Sequence, residues 1–527
     1  MTSDEISGLR DAFAREVAAL AGADIRIDIG AAPDTCTGAP LSRVLHAAPL
    51  DVAQVAACVR AAARVGLRVM PLGSSRNWGY GHGIRAEPEA SIAAVLLDLS
   101  GMKRIGDYDP VCGLVSLQPG VTQGELSRYL IERGDAWVGP VTGSSPDCSV
   151  ISNALERGFG LTVAHDHYML LRDVTVVLAD GSVHSSSMRA MGGDVSARLY
   201  RPGIGPDTLG LFSQSDLGIV CGATLTLGRR HERGLITVQV PPHRLGRATD
   251  AFRELRQRFG ELLPCIKLMN PDYLARVTTE DSQHPDHWRG WMSVSADERL
   301  LGGVMREVGR VLHAHRLRHR SASPRTRRLL ADARRLGLTR FSRSLDDAAR
   351  ALADIDSLVS GTPSQIGLRF AYGSERMPAV PHPGRDGCGL LWYCPIVRLD
   401  GGDVEGMARM VADTMRGYGF AAPMNLTCLD QRSACLVSAV VFDRGQRTAE
   451  ARDCYRSLVE RGLELGCSPY RFADTPYGPS STMDASSPSL HARLRHALDP
   501  DGRFVGARIG MRHPPHVPLS QPEASPA

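Results

Sequence analysis

The chain has 527 residues, of which 43% are apolar and 22% charged, and 61 basic against 57 acidic side chains leave a net charge of +4. That length exceeds a single compact core, so roughly two or three domains are expected. The near balance of charge leaves no electrostatic footprint for nucleic acid or a membrane surface, and no apolar run reaches the roughly 18 residues a membrane span needs.

Residues 1–30 lack the basic-then-apolar order of a secretory signal, and the twelve cysteines stand singly, without a C-x-x-C pair. They resemble reduced thiols more than a disulfide framework or a zinc site, so a cytoplasmic location is expected. In chain order, DEISGLRDAFAREVAAL predicts an amphipathic helix. A second helix follows from Asp51, with a capping pattern to Gln54 and Val52, Val55 and Val59 on one face. LRVMPLG predicts a strand, SIAAVLLDLS another, and GLVSLQPGVTQGELSRYLIERG a strand, turn and helix. RDVTVVLADGSVHSS predicts a hairpin turning at Asp180-Gly181. From about residue 230 to 460 the composition changes: helical segments surround LLWYCPIV and CLVSAVVFD, which predict core strands of a second sheet. The stretch 316–335 holds eight arginines and one aspartate and reads as a solvated helix and loop, or alternatively as a docking patch for an acidic electron acceptor. HARLRHALDPDGRFVGARIG predicts a helix and a glycine-bearing turn, and the tail 513–527 is expected to be disordered.

The loop PLGSSRNWGYG, residues 71–81, carries the first functional signal. Gly73, Gly79 and Gly81 let the backbone turn its N–H groups inward, Ser74, Ser75 and Asn77 add donors, and Arg76 adds charge. Such a nest suits a phosphate or pyrophosphate, although a plain structural turn explains the same residues. There is no G-x-x-x-x-G-K-[ST], and the loop joins two strands rather than a strand and a helix, which excludes the usual nucleotide folds.

PLGSSRNWGYG, SLQPGVTQGEL, NALERGFG, DHYML, VVLADGSV, GLFSQSDLGIV and LDPDGRFVGARIG follow one another along the chain. In that order they resemble the vanillyl-alcohol oxidase / p-cresol methylhydroxylase family of FAD-linked oxidases. Residues 240–360 match poorly. The resemblance implies an α+β architecture with a two-part FAD-binding domain of the p-cresol methylhydroxylase type. Residues 1–229 would form its first part and 463–512 would return to it, with an α+β cap, 230–462, inserted between them. It implies FAD contacts from Pro71, Gly73, Ser74, Ser75, Arg76, Asn77, Tyr80 and Gly81, from Thr142, Gly143, Ser144, Ser145, Ser152 and Asn153, and from Gly218, Ile219 and Val220.

The phenol-oxidising branch of that family binds its substrate as a phenolate between two tyrosines and an arginine. The matching positions are Tyr80, Tyr470 and Arg471, with Arg508 near the flavin and Asp166 close to its N5 as a base or a charge stabiliser. The implied activity is FAD-dependent removal of hydride from a benzylic carbon of a para-substituted phenol through a quinone methide. The alternative is oxidation of a non-phenolic alcohol or amine in a biosynthetic pathway, favoured by His165 where the phenol oxidases have glycine. The run His165-Asp166-His167 is a poor chelator on a strand, because neighbours point to opposite faces, so no metal is expected.

The family's covalent flavin tether has no histidine or tyrosine counterpart in CLDQRSACLVSAVVFDR, and His82 only follows the loop where another tether falls. Cys435 lies within about one residue of the tether position, but a cysteine in an apolar strand is ordinarily core, so non-covalent FAD is expected, with a Cys435 thioether as the alternative. An untethered flavin is expected to have a lower potential and to suit a more easily oxidised substrate. O2 or a protein acceptor would reoxidise it, and the resemblance implies an oligomer, in the simplest case a homodimer.

Overall fold

The structure is a computed structural model that describes residues 3–22, 25–37, 44–81, 94–134, 136–278, 285–341, 343–373, 377–473 and 490–504. Arg508, His82 and the tail 513–527 lie outside these residues.

Helix α1 (Ser3–Ala21) and helix α2 (Val52–Arg64) cover a four-stranded sheet of β1 (Arg26–Gly30), β2 (Val44–Ala48), β3 (Arg68–Leu72) and β4 (Ala94–Asp98), in the order β1-β2-β4-β3. The Asp51 carboxylate caps α2 by accepting from Gln54 N, and the helix buries Val55, Val59 and four alanines in the core beneath it. A second, antiparallel sheet contains β5 (Ile105–Asp109), β6 (Leu114–Leu117), β8 (Leu171–Val177), β9 (Val183–Ser185) and β10 (Ile219–Thr226), ordered β5-β6-β10-β8-β9. The short strands β7 (Trp137–Val138) and β11 (Gly228–Arg229) pair separately. Helix α3 (Gln123–Glu132) starts at a capping box between Thr122 and Glu125. The hairpin between β8 and β9 turns at Asp180-Gly181 as expected, with Leu178 N donating to Ser182 O.

The chain then builds an eight-stranded antiparallel sheet from β12 (Glu232–Val240), β13 (Cys265–Met269), β14 (Trp288–Ala296), β15 (Arg318–Ala322), β16 (Cys388–Tyr393), β17 (Ile396–Arg398), β18 (Met424–Cys428) and β19 (Ser433–Asp443). Its order is β15-β12-β14-β13-β18-β19-β16, with β17 also on β19. Alternation sorts its faces. Ile266, Leu268, Met424, Leu426, Leu436 and Val440 join the core under helices Leu245–Phe259, Glu298–Ala314, Gly401–Gly417 and Thr448–Glu464. Lys267, Asn425, Thr427, Cys435 and Val437 take the opposite face, towards the first two sheets.

The arginine-rich stretch differs from the expected helix and loop. Residues 318–322 are the edge strand β15, paired to β12, and only Pro324–Arg335 is helical. Ser323 caps that helix and Pro324 opens it, while alternation over 318–322 fits a strand. Arg327 pairs with Asp356 and Arg328 with Glu232 at 2.7 Å, so part of its charge is spent within the cap.

After the cap the chain returns to the first sheet. Val69 N donates to Arg503 O at 2.8 Å, Phe504 is buried against α2 and β3, and Arg495 pairs with Asp216 at 2.7 Å. No helix among the described residues is long and apolar enough to cross a membrane.

Candidate active site

Between the cap sheet and the first two sheets lies a cavity of about 470 Å³. The 71–81 loop forms one wall, joining β3 to β4 as its sequence predicts. It is stitched to the cap: Trp392 N donates to Gly79 O at 3.1 Å and the Trp392 indole N–H to Trp78 O at 3.1 Å. Gly79 has φ +81° against the Trp392 ring, so both its backbone and its missing side chain are required there.

Of the expected cofactor contacts, Pro71, Gly73, Ser74, Ser75, Arg76, Asn77 and Tyr80 line the cavity, as do Thr142, Gly143, Ser144, Ser152, Asn153, Gly218 and Val220. Ser149 N donates to Ser74 Oγ at 2.9 Å, binding the two glycine-rich segments together. The buried Gln123 carboxamide orders the second segment, accepting from Thr142 N at 2.9 Å and donating to Ser145 O at 2.6 Å. Three expected contacts lie elsewhere. Gly81 accepts from the Asn77 carboxamide, Ser145 turns its Oγ to Asp147 N, and Ile219 packs in the core beneath the first sheet.

The cradle is built for close backbone approach. A methyl group on Gly73 would collide with Ser152 Oγ, whereas Gly143 faces open space, which any side chain there would fill. These residues fit a dinucleotide held by backbone and hydroxyl donors. Gly73→Ala is expected to purify with little flavin, and Gly73→Ala/Ser152→Gly to regain part of it, read as visible absorbance per protein.

At the other end, Tyr80, Tyr470 and Arg471 meet. Tyr470 N donates to Cys394 O at 3.2 Å, and the Gln214 carboxamide donates to Tyr470 O at 3.0 Å, fixing this segment between cap and FAD half. The Arg471 guanidinium carbon lies 3.9 Å from the centre of the Tyr80 ring, and its side chain is 6% exposed. Burial works against the Arg471 charge, but Glu156 and the two tyrosines outweigh it, so the guanidinium is held more firmly protonated than usual. Burial and the neighbouring Cys394 push the Tyr80 hydroxyl well up, and burial does the same at Tyr470. Both therefore remain O–H donors at neutral pH.

Two participants escaped the sequence reading. The Glu156 carboxylate accepts from Arg471 Nε at 3.1 Å, and Asn77 Oδ1 accepts from the same guanidinium. Arg471 is thus not a free cation. Glu156 stands in the quoted NALERGFG, where an acid two residues before Gly158 was the available signal. Cys394 Sγ lies 3.2 Å from Tyr80 Oη, and Cys435 packs in the same buried cluster as Cys394. Burial and Cys394 push the Cys435 thiol well above its usual range.

Asp166 does not line the cavity, although its backbone bridges to Phe159, which does. Its carboxylate caps the short helix His167–Leu170, accepting from Met169 N at 3.1 Å, so the expected role beside the flavin is not the one its contacts describe. The stretch is a helix start rather than a strand because an aspartate with extended backbone is a strong N-cap. His165 turns to Glu261 and His167 to Asn153, and no group of three possible metal ligands occurs among the described residues.

The FAD binding domain family matches residues 44–187. The chain is 29% identical to 1'-carboxy-chondrochloren decarboxylase of Chondromyces crocatus, over 95% of this chain and 96% of that one. It is 22% identical to the flavoprotein subunit of 4-cresol dehydrogenase (hydroxylating) of Pseudomonas putida, over 87% and 86%. Substrate-bound p-cresol methylhydroxylase superposes with a TM-score of 0.77 at 20% identity, over 97% and 98% of the two chains. Fold, cradle and matches define an FAD-linked oxidoreductase, with FAD as its cofactor. Over most of its length the chain is similar to the 4-cresol dehydrogenase flavoprotein subunit and shares the fold of p-cresol methylhydroxylase.

Proposed function

We propose that the protein oxidises a para-substituted phenol, bound as its phenolate by Arg471, Tyr80 and Tyr470. The observation that carries this reading is the buried guanidinium at the cavity wall, flanked by two protonated tyrosines. FAD, held by the 71–77 and 142–153 segments, supplies the hydride acceptor. A nearby guanidinium lowers an acid's pKa by about 1–3 units, so Arg471, helped by two hydroxyl donors, favours the ionised form of a bound phenol. The oxyanion then feeds electron density into the ring as the benzylic hydride departs. Charge-assisted hydrogen bonds from Arg471 and the tyrosines keep the oxygen in place. Glu156 orients Arg471 and moderates its charge. Cys394 holds the Tyr80 hydroxyl.

The resulting quinone methide has more than one fate. Similarity to a decarboxylase favours one of them: if the carbon next to the benzylic position carries a carboxylate, its C–C bond breaks, CO2 leaves, and the electron pair becomes a vinyl double bond while the ring regains aromaticity. Anaerobic mixing of the flavin-loaded protein with a panel of phenols, alcohols and amines tests the reading. Rapid bleaching by phenols supports it, and bleaching by alcohols or amines alone favours the non-phenolic alternative.

Non-covalent FAD belongs to the same proposal. A thiol whose ionisation burial suppresses is a poor nucleophile, which speaks against a thioether at Cys435. Acid precipitation is expected to leave the flavin in the supernatant, and a yellow pellet contradicts this. A cytoplasmic location, O2 or a protein as acceptor, and a homodimer complete the proposal.

A further inference from the structure

We propose that Lys267 and Thr427, on the cavity face of the cap sheet, form a carboxylate-binding subsite, so that the para side chain of the substrate carries a carboxylate. This rests on the phenolate reading and adds the far end of the same substrate.

Lys267 is opposite Thr427 across β13 and β18, and Thr427 is opposite Cys435 across β18 and β19. Directly opposed residues share a face, so the three form one row, and all three line the cavity. Their chain neighbours Ile266, Leu268, Leu426, Cys428, Ala434 and Leu436 are buried on the other side or beside it, so the register cannot slip without exposing that core. Lys267 is half-buried and lines the cavity, and no ion pair to it is found among the described residues. Thr427 is 8% exposed and its Oγ1 has no hydrogen-bond partner among the described residues. Buried polar groups are normally satisfied, and a half-buried ammonium without a counter-charge is costly. A carboxylate answers both: it accepts from the ammonium and from the threonine hydroxyl.

The row also gives the substrate a direction. Cys435 packs in one buried cluster with Cys394, whose thiol meets the Tyr80 hydroxyl, and with Tyr80 and Tyr470, so this end adjoins the phenolate position. Neighbouring strands lie about 4.8 Å apart, so the Lys267 backbone is roughly 10 Å across the sheet from that of Cys435. A phenol held at Arg471 points its para substituent along the row towards Lys267. An apolar para-alkyl substituent has no use for a cation at that position.

The test uses 4-hydroxycinnamate, which has no sp3 benzylic hydrogen to lose, and its neutral amide, 4-hydroxycinnamamide. Binding of each to the flavin-loaded protein is measured by calorimetry, with flavin content determined on the same samples. Wild type is expected to bind the carboxylate at least about tenfold more tightly than the amide. Lys267→Met is expected to erase that preference while keeping its flavin and its affinity for the amide, and Thr427→Val to reduce it severalfold. Absence of a preference in wild type, or a preference that survives Lys267→Met, overturns the subsite. Loss of flavin from Lys267→Met assigns the lysine to the cofactor and overturns it too. Arg471→Ala is expected to weaken both ligands. If it weakens neither while Lys267→Met behaves as expected, the phenolate reading fails and the carboxylate subsite stands.

Discussion

Arg471→Ala is expected to slow anaerobic reduction of the bound flavin by a para-alkylphenol by about 10²–10³-fold, the usual effect of removing one preorganised donor to a developing or fixed oxyanion. Flavin content is expected to stay near wild type, because Arg471 bonds to Asn77 alone among the residues of the 71–77 and 142–153 segments, its other partner, Glu156, lying outside them. Two effects add in this variant. The phenolate loses its permanent cation, and the Glu156 carboxylate, whose charge Arg471 offset at 3.1 Å, repels the oxyanion that remains. Arg471→Lys is expected to recover part of the rate, since it restores charge without the planar fork that reaches Glu156 and Asn77 together. Stopped-flow absorbance measures both variants directly. A wild-type rate in Arg471→Ala contradicts the assignment of the oxyanion site.

Glu156→Ala is expected to be the most destabilising single change at the site, costing about 3 kcal/mol and lowering the thermal midpoint by several degrees. It strands a guanidinium whose side chain is only 6% exposed, and breaking a buried pair costs about 3–5 kcal/mol. The lower end applies because Glu156 is itself 23% exposed. The double variant Glu156→Ala/Arg471→Ala is expected to be less destabilised than the sum of the single changes, because the second removal relieves the stranded charge. Strict additivity in that cycle shows that the pair does not act as a unit. Glu156→Gln, which keeps an acceptor, is expected to lose less stability and to lower the pKa of a bound phenol further, since the Arg471 charge is no longer shared.

Much of this was legible in the sequence, for identifiable reasons. The loop 71–81 stood out because three glycines among short polar residues between two apolar strands suit a close backbone approach, and the family resemblance separated that use from a plain turn. Asp51 and Gln54 and the Asp180-Gly181 turn are local signals whose chemistry acts within four residues, and they sit where local rules put them. Tyr80, Tyr470 and Arg471 are a different case. They are far apart in the chain, and only the family resemblance suggested their meeting. Glu156 was missed because its partner lies 315 positions away and nothing local marks the pair. Lys267 was missed because a lysine in an apolar strand, IKL, reads as an exposed edge until the register shows which face it takes. Asp166 misled because a resemblance transfers a position, whereas the local backbone made that carboxylate a helix cap. The arginines of 316–335 drew attention by number, although several are paired within the cap.

The central claim is that the flavin is reduced by a phenol held as its oxyanion at Arg471. Anaerobic mixing of the flavin-loaded protein with a para-alkylphenol, and separately with the O-methyl ether of the same compound, tests it most directly. The account predicts that the phenol bleaches the flavin and that the ether, which cannot ionise, does so at least about 100-fold more slowly. Equal rates for the two compounds contradict it.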